Sequence, residues 1–345
     1  MLEQHEAYMQ LCLNLAQKGL GKVAPNPMVG SILVYDGKIV AEGYHQQYGG
    51  PHAEPNAIKQ LDDELLKKCT LYVTLEPCSH FGKTPPCADL IVSKKIPKVI
   101  VGCLDPNPLV AGRGIKKLHD AGIEVEYGIL EKECRELNKR FFTFQEKKRP
   151  YIILKWAQTQ DGFISRKPLP ENKEDNWITS IDSKRLVHEW RAQEQAILVG
   201  YNTALLDNPL LTTRLVEGEN PTRIVIDKRL ELPKDLNIFN GAAKTIVFNG
   251  IKESEVGNIR YAQIDMANMV DELLHECYLL NISSIIVEGG SNTINEFIKK
   301  DLWDEARVFV NPNLKFHHGV PAPQIDIHHI KSENIGSDLL YTIIN

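Results

Sequence analysis

The chain has 345 residues, 25% of them charged and 43% hydrophobic, and a formal net charge of −5. That length exceeds one ordinary domain and can bury two cores. Neither half is basic: residues 1–148 hold 19 Lys and Arg against 18 Asp and Glu, and the remainder holds 21 against 27, which speaks against a nucleic-acid platform.

The first 20 residues read as a helix, because Tyr8, Leu11, Cys12, Leu15 and Ala16 recur at helical spacing. Gly19 and Gly21 end it. MVGSILVYDGKIVAEGY then reads as a β-hairpin turning at Asp36-Gly37, a type I′ signal. After PHAEPNAIKQL come a strand TLYVTL, a helix from about Cys87, a strand KVIVGC, a helix from Gly112 and a strand IEVEYG. Strands alternating with helices indicate a three-layer α/β domain, and the opening hairpin makes its sheet mixed. EKECRELNKRFFTFQEKKRP reads as one charged helix closed by Pro150, with the linker at Lys147 to Arg149. The expected domains are therefore 1–147 and 148–345. The second restarts with YIILKW; helices near 182–193, 266–280 and 292–300 alternate with AILVG, TRIVID, KTIVF, SIIVEGG and ARVFV, and LLYTII ends the chain. This is a second α/β domain.

No apolar run is long enough to span a membrane, and the polar start MLEQHEAYMQ has no signal-peptide core. A cytoplasmic protein with reduced thiols is expected, so cysteine beside histidine points to metal before disulfide. His52, Cys78 and Cys87 supply one imidazole and two thiolates, and an open zinc site takes three such ligands and leaves a position for water. Glu54 lies two residues from His52, so its carboxylate can face that water without ligating. Water on zinc ionises near neutral pH, and Glu54 can carry its proton to a leaving amine. Zinc deaminases carry this set, H-x-E followed by P-C-x-x-C. Here eight residues, SHFGKTPP, separate the cysteines in place of two. If His52 and Glu54 open a helix, Pro55 falls in its first turn, where a missing N–H costs nothing. A structural zinc site is the alternative, but it would take four ligands and leave Glu54 without a role.

HAE, TLEPCSHFGKTPPC and DPNPLVAGRG, with NPMVG before them and WITS, DNPLLTTR and VEGGS after, together resemble the bacterial bifunctional riboflavin-biosynthesis deaminase–reductases over nearly the whole chain. The resemblance implies a cytidine-deaminase-like first domain and a dihydrofolate-reductase-like second one. It implies zinc-dependent deamination of a diamino-pyrimidinone bearing a phosphoribosylamino arm, then opening and reduction of the ribose with NADPH. It places Asn26, His45, His80 and Lys83 around the pyrimidine. It implies small-molecule partners and allows a homo-oligomer; the charge balance and the lack of a long apolar run already speak against nucleic acid and membrane. The chain departs from the family pattern at Pro55, at AQTQDG and at KFHHGVPAP.

The second half carries no G-x-G-x-x-G after a strand, so a Rossmann site is not supported. SIIVEGGSNT is a strand, a double glycine and a helix start, which can take phosphate on free N–H groups but which also occurs as plain packing. The resemblance assigns Gly289, Gly290, Ser291, Asn292 and Thr293 to the dinucleotide phosphates, and Lys155, Ala157, Trp177, Thr179, Thr203 and Asp207 to the rest of NADPH. Asp175, Arg191, Leu211, Arg214 and Glu288 would hold the substrate. Lys228 and Arg229, after TRIVID, would select the extra ribose phosphate of NADPH. A DNA or tRNA base deaminase would share HAE and the cysteines but lack a use for the second domain. A zinc-stabilised nucleotide sensor would lack a use for Glu54.

Overall fold

The structure, a computed structural model, describes residues 2–80, 85–107, 111–325 and 330–345. The chain forms two compact units, Met1–Lys148 and Arg149–Asn345.

In the first unit the elements run α1 Leu2–Gln17, β1 Gly30–Tyr35, β2 Lys38–Tyr44, α2 Ala53–Ile58, α3 Asp63–Leu66, β3 Thr70–Leu75, α4 Cys87–Ser93, β4 Lys98–Cys103, α5 Arg113–Asp120, β5 Glu124–Tyr127, α6 Glu131–Leu137 and α7 Lys139–Lys147. The sheet order is β2-β1-β3-β4-β5. β1 is antiparallel to β2 and β3, and β3, β4 and β5 are parallel, so the sheet is mixed as expected. Asp36 and Gly37 both take positive φ, 49° and 70°, between the paired Tyr35 and Lys38, which is the type I′ requirement. Successive strand residues serve opposite faces. Leu33, Leu71, Val73, Val99 and Val101 pack under α2, α4 and α5, whereas Ile32, Tyr72 and Ile100 pack against α1, α6 and α7. The stretch read as one charged helix is two, broken at Asn138. That side chain leaves its helix to bond both the N–H and the C=O of Met28, each at 2.8 Å.

In the second unit the elements are β6 Tyr151–Thr159, β7 Phe163–Arg166, α8 Ile181–Gln193, β8 Ala196–Gly200, α9 Tyr201–Asp207, β9 Thr222–Ile226, β10 Thr245–Asn249, β11 Ser254–Val256, β12 Ile259–Gln263, α10 Met269–Leu279, β13 Ser284–Val287, α11 Ser291–Lys299, β14 Glu305–Asn311, β15 Gly319–Pro321, β16 Ile330–Ile335 and β17 Asp338–Ile344. The large sheet has the order β11-β12-β10-β9-β8-β13-β6-β14-β17-β16. Strands β12 to β14 in that order run parallel, flanked by antiparallel β11 on one side and the β17–β16 hairpin on the other. α10 and α11 cover one face, with Leu273, Ile294 and Phe297 in its core; α8 and α9 cover the other, with Val187, Trp190 and Ala204. The chain walks outward from β8 to β12, then returns to insert β13 between β8 and β6. Ligands of open α/β sheets bind outside the carboxyl ends of strands where the winding reverses. Helix α9 and strands β7, β11, β12, β15 and β16 were not expected: none exceeds seven residues, and β16 is polar and exposed between its terminal isoleucines.

Candidate active sites

His52 is the N-cap of α2 and Cys87 is the first residue of α4. Cys78 lies in the segment after β3, where its Sγ accepts from the Cys87 N–H at 3.3 Å and its carbonyl from the Ala88 N–H at 3.1 Å. α2 lies directly on β2: a Cβ on Gly43 would stand 2.4 Å from the Ala53 carbonyl and 2.5 Å from the Ala57 nitrogen, so only glycine admits the helix this close. His52 Nδ1 is 3.6 Å from Cys78 Sγ and 3.3 Å from Cys87 Sγ, and the three donor atoms lie within 4.8 Å of one another. Tetrahedral zinc, at ~2.3 Å from sulfur and ~2.0–2.1 Å from nitrogen, needs N···S distances of about 3.5 Å. The donor set therefore fits zinc in both chemistry and spacing. Hydrogen bonding with Cys87 lowers the Cys78 thiol, while Cys87 is raised by that same bond and by burial.

Glu54 is buried in the first turn of α2, beside the donors and not among them. Burial, and then the charge of Cys78, push its carboxyl up to about 7. Pro55 sits in that first turn as expected. His45 forms the adjoining wall, its ring edge-on to His52 with centroids 5.3 Å apart. Its Nδ1 donates to the Pro51 carbonyl at 3.0 Å, so its Nε2 accepts from the Asn26 amide at 3.1 Å. Burial lowers the His45 pKa, in keeping with a neutral ring. Asn26, His45, His52, Glu54, Cys78 and Cys87 are thus brought together. His80 is exposed, and Lys83 lies outside the described residues.

The second site lies at the carboxyl ends of β8, β13, β6 and β9. Glu288 follows β13, and its Oε2 accepts from Arg191 of α8 at 3.0 Å and lies 4.0 Å from Lys155 of β6. Glu288 Oε1 and Arg191 Nε are buried with no hydrogen-bond partner among the described residues. Burial raises the Glu288 carboxyl, but Arg191 and Lys155 together pull it below its ordinary value; burial lowers Lys155. Arg214 donates to Thr212 Oγ1 at 2.8 Å and Arg191 to the Thr212 carbonyl at 3.5 Å, which gathers two guanidinium groups around the loop containing Leu211. Leu211 itself has φ +54°.

Gly289 and Gly290 join β13 to α11, with Ser291, Asn292 and Thr293 as the helix's first three residues. Thr203 Oγ1 of α9 accepts from the Gly290 N–H at 3.0 Å, and a Cβ on Gly200 or Gly289 would collide with Thr293, so the starts of α9 and α11 are locked side by side. Asp207 ends α9, and Ala157 lies on β6 beside Lys155. Trp177 is exposed, donates to the Thr179 carbonyl at 2.7 Å and carries the Lys184 ammonium 4.2 Å above its ring. Asp175 is exposed, and so are Lys228 and Arg229 just past β9.

Residues 2–103 match the family model for the cytidine and deoxycytidylate deaminase zinc-binding region, and residues 150–315 match that for the RibD C-terminal domain. The riboflavin biosynthesis protein RibD of Aquifex aeolicus is 41% identical over 96% of this chain and 96% of that protein. The Escherichia coli protein of the same description is 36% identical over 90% of this chain and 88% of its own length. The chain belongs to the bifunctional riboflavin-biosynthesis deaminase–reductases. A solved Thermotoga maritima diaminohydroxyphosphoribosylaminopyrimidine deaminase/5-amino-6-(5-phosphoribosylamino)uracil reductase superposes with a TM-score of 0.88 at 39% identity, covering 99% of each chain. Acinetobacter baumannii RibD gives 0.88 at 31% identity, covering 100% of this chain and 99% of the other. As a member of this family the chain is a zinc-dependent deaminase and an NADPH-dependent reductase acting on pyrimidines in riboflavin biosynthesis.

Three residues of this deaminase–reductase were not singled out from sequence. Glu76 binds four backbone N–H groups with its carboxylate. His188 of α8 accepts the Arg214 N–H on Nδ1 at 3.0 Å; burial, with Arg191 and Arg214 beside it, pushes its pKa down to about 4. Asp161 accepts from Thr159 Oγ1 and from the N–H groups of Phe316 and His317. It thereby ties AQTQDG to KFHHGVPAP, so the two departures from the family pattern in this unit form one clamp. The signals were present as an acid two residues before Cys78 and as a histidine three residues before Arg191, but a backbone partner leaves no mark in the sequence.

Proposed function

We propose that residues 1–147 deaminate a diaminohydroxyphosphoribosylaminopyrimidine and that residues 148–345 reduce the resulting 5-amino-6-(5-phosphoribosylamino)uracil to its ribitylamino phosphate. The observation that carries this reading is a three-donor cluster with a non-ligating buried carboxylate, Glu54, in the same chain as a charged cluster holding an unmet carboxylate oxygen, Glu288 Oε1. His52, Cys78 and Cys87 would hold zinc, which supplies the Lewis acidity that makes water a nucleophile at neutral pH. Glu54, with a carboxyl at about 7, takes a proton from the attacking water and returns it to the departing amine. Asn26 and His45, already bonded to each other, orient the pyrimidine together with His80 and Lys83.

In the other unit NADPH supplies the hydride. Gly289, Gly290 and the first turn of α11, Ser291 to Thr293, receive the dinucleotide phosphates on backbone N–H groups. Lys155, Ala157, Trp177, Thr179, Thr203 and Asp207 line the remainder of the cofactor, and Lys228 reads its extra phosphate. Arg191 and Arg214 grip the phosphoribosyl arm, whose planar-fork recognition suits arginine. Asp175, Leu211 and Glu288 complete that site, and a sugar hydroxyl can donate to Glu288 Oε1. A homo-oligomer in the cytoplasm belongs to the same proposal. It rests on the family and on seven free cysteines; no described helix is long and apolar enough to cross a membrane. The test is one reaction containing the phosphoribosyl diaminopyrimidinone and NADPH. Ammonia release and NADPH oxidation should both occur; no ammonia release overturns the first half, and ammonia release without NADPH oxidation overturns the second.

A further inference from the structure

We propose that Glu76 is a positioning residue for the metal site: it fixes the segment bearing Cys78 without touching metal or substrate. The inference rests on the zinc reading of His52, Cys78 and Cys87. Glu76 is 3% exposed, and no cation lies within salt-bridge distance of it among the described residues. A buried carboxylate without a counter-ion is costly unless its oxygens are hydrogen-bonded. Here both are. Oε2 accepts from the N–H groups of Gly112 at 2.9 Å and Asp105 at 3.4 Å; Oε1 accepts from Gly114 at 2.9 Å and Ile115 at 3.3 Å. Two of these donors open α5, where the helix dipole favours an anion, and bonds to an ionised acceptor are stronger than neutral ones.

The clamp acts where regular pairing stops. β3 ends at Leu75, and the Glu76 N–H makes one more bond, to the Cys103 carbonyl at 3.0 Å. Cys78 follows two residues later in irregular chain, half-buried, held on its other side by the start of α4. Pro77 is pinned too: a Cβ on Gly114 would stand 2.1 Å from its carbonyl oxygen, so the first turn of α5 lies flat against the proline. Glu76 and Gly114 therefore hold the main chain on the near side of the ligand as α4 holds it on the far side. An apolar residue would fill the space without an uncompensated charge, but it would leave four N–H groups unmet and Pro77 free to shift. Groups that orient metal ligands in this way govern how long the metal stays.

The experiment compares the full-length wild type with Glu76→Gln, both loaded with zinc, then with cobalt. The amide keeps the shape but turns an N–H₂ toward N–H donors. Zinc release to a chelator at 25 °C should be about 10- to 100-fold faster in the variant. Its cobalt form should show altered thiolate-to-cobalt absorption. A folded variant with a lowered melting temperature but wild-type zinc release and cobalt spectrum would overturn the proposal, since a merely structural residue behaves that way. If Glu76→Gln does not fold, Gly114→Ala displaces Pro77 with the carboxylate intact and is judged by the same two readings. A wild type that binds neither metal would overturn the zinc reading instead.

Discussion

The two sites solve opposite problems. In the first unit the donors stand at zinc-binding distances from one another, because two helix starts and the segment after a strand deliver them. In the second unit the charged groups bind one another in part, and Glu288 Oε1 and Arg191 Nε are left over. A metal site must be preorganised in side chains, since its ligands are side chains. A site for a dinucleotide and a phosphosugar can leave much of the work to backbone N–H groups and to the ligand's own hydroxyls. The chemistry of the first is therefore concentrated in four residues, and that of the second is spread over the ends of several strands.

The largest effect expected on this contrast comes from Glu54→Gln. Deamination should fall by roughly 10²- to 10⁴-fold, the usual contribution of a positioned general acid–base. Zinc, measured by metal analysis, should stay at about one per chain because the carboxylate is not a ligand. Reduction of deaminated substrate supplied from outside should continue. Loss of zinc in this variant would make Glu54 a ligand and remove the open-site reading.

Arg191→Leu tests the other pole. Glu288 would keep only Lys155, 4.0 Å away, inside a buried setting. Truncating one partner of such a pair typically costs about 2–5 kcal/mol in binding, so kcat/KM for reduction should fall by ~10²-fold or more. Leaving a buried charge half-met should also destabilise the unit by about 3 kcal/mol, read from urea midpoints. Ammonia release by the same protein should be untouched. If reduction survives, the phosphoribosyl arm is held elsewhere.

These contrasts also explain what could be read in advance. The alternation of strands and helices was legible because both cores need it, and Asp36-Gly37 because few dipeptides accept two positive φ values. His52, Glu54, Cys78 and Cys87 were legible because zinc chemistry restricts residue type. Asn138 was not: its partner Met28 lies 110 residues away and is bonded only through the backbone, so a helix-long charged stretch hid the break. Glu76, His188 and Asp161 were missed for the same reason. Their partners are main-chain N–H groups whose identity is independent of sequence. The candidates Asp175, Trp177 and Lys228, all exposed, came through the family resemblance, Lys228 also through its place after a strand.

His188 gives a pH test confined to the second unit. Its pKa falls from 6.5 to about 4 in the folded chain, chiefly by burial and then by Arg191 and Arg214. Between those values the unfolded chain binds more protons than the folded one, so stability rises with pH. This contribution is complete above pH 6.5 and lost progressively as pH falls toward about 4. The urea midpoint of the second unit should therefore drop between pH 7 and pH 5. His188→Asn, which can keep an acceptor for the Arg214 N–H, should flatten that slope. An unchanged slope would assign the titration to another group.

The smallest effect concerns cofactor choice. Lys228 and Arg229 are exposed just past β9, and Arg229 lies 3.9 Å from Glu231, so neither is held in a buried pocket. An exposed charge contact is worth about 0–1 kcal/mol, a factor of roughly five at most. Lys228→Ala should therefore lower the ratio of kcat/KM for NADPH to that for NADH only a few-fold. Lys228→Glu should lower it further, because a carboxylate then faces the ribose phosphate. Raising the salt concentration should shrink both effects, as expected of contacts screened by solvent. Deamination, measured in the same preparations, should not respond to either change. If the ratio holds in both variants at low salt, Lys228 does not read the phosphate. If it then falls in Arg229→Glu, the neighbouring guanidinium does, and the selecting charge lies one residue further along the same turn.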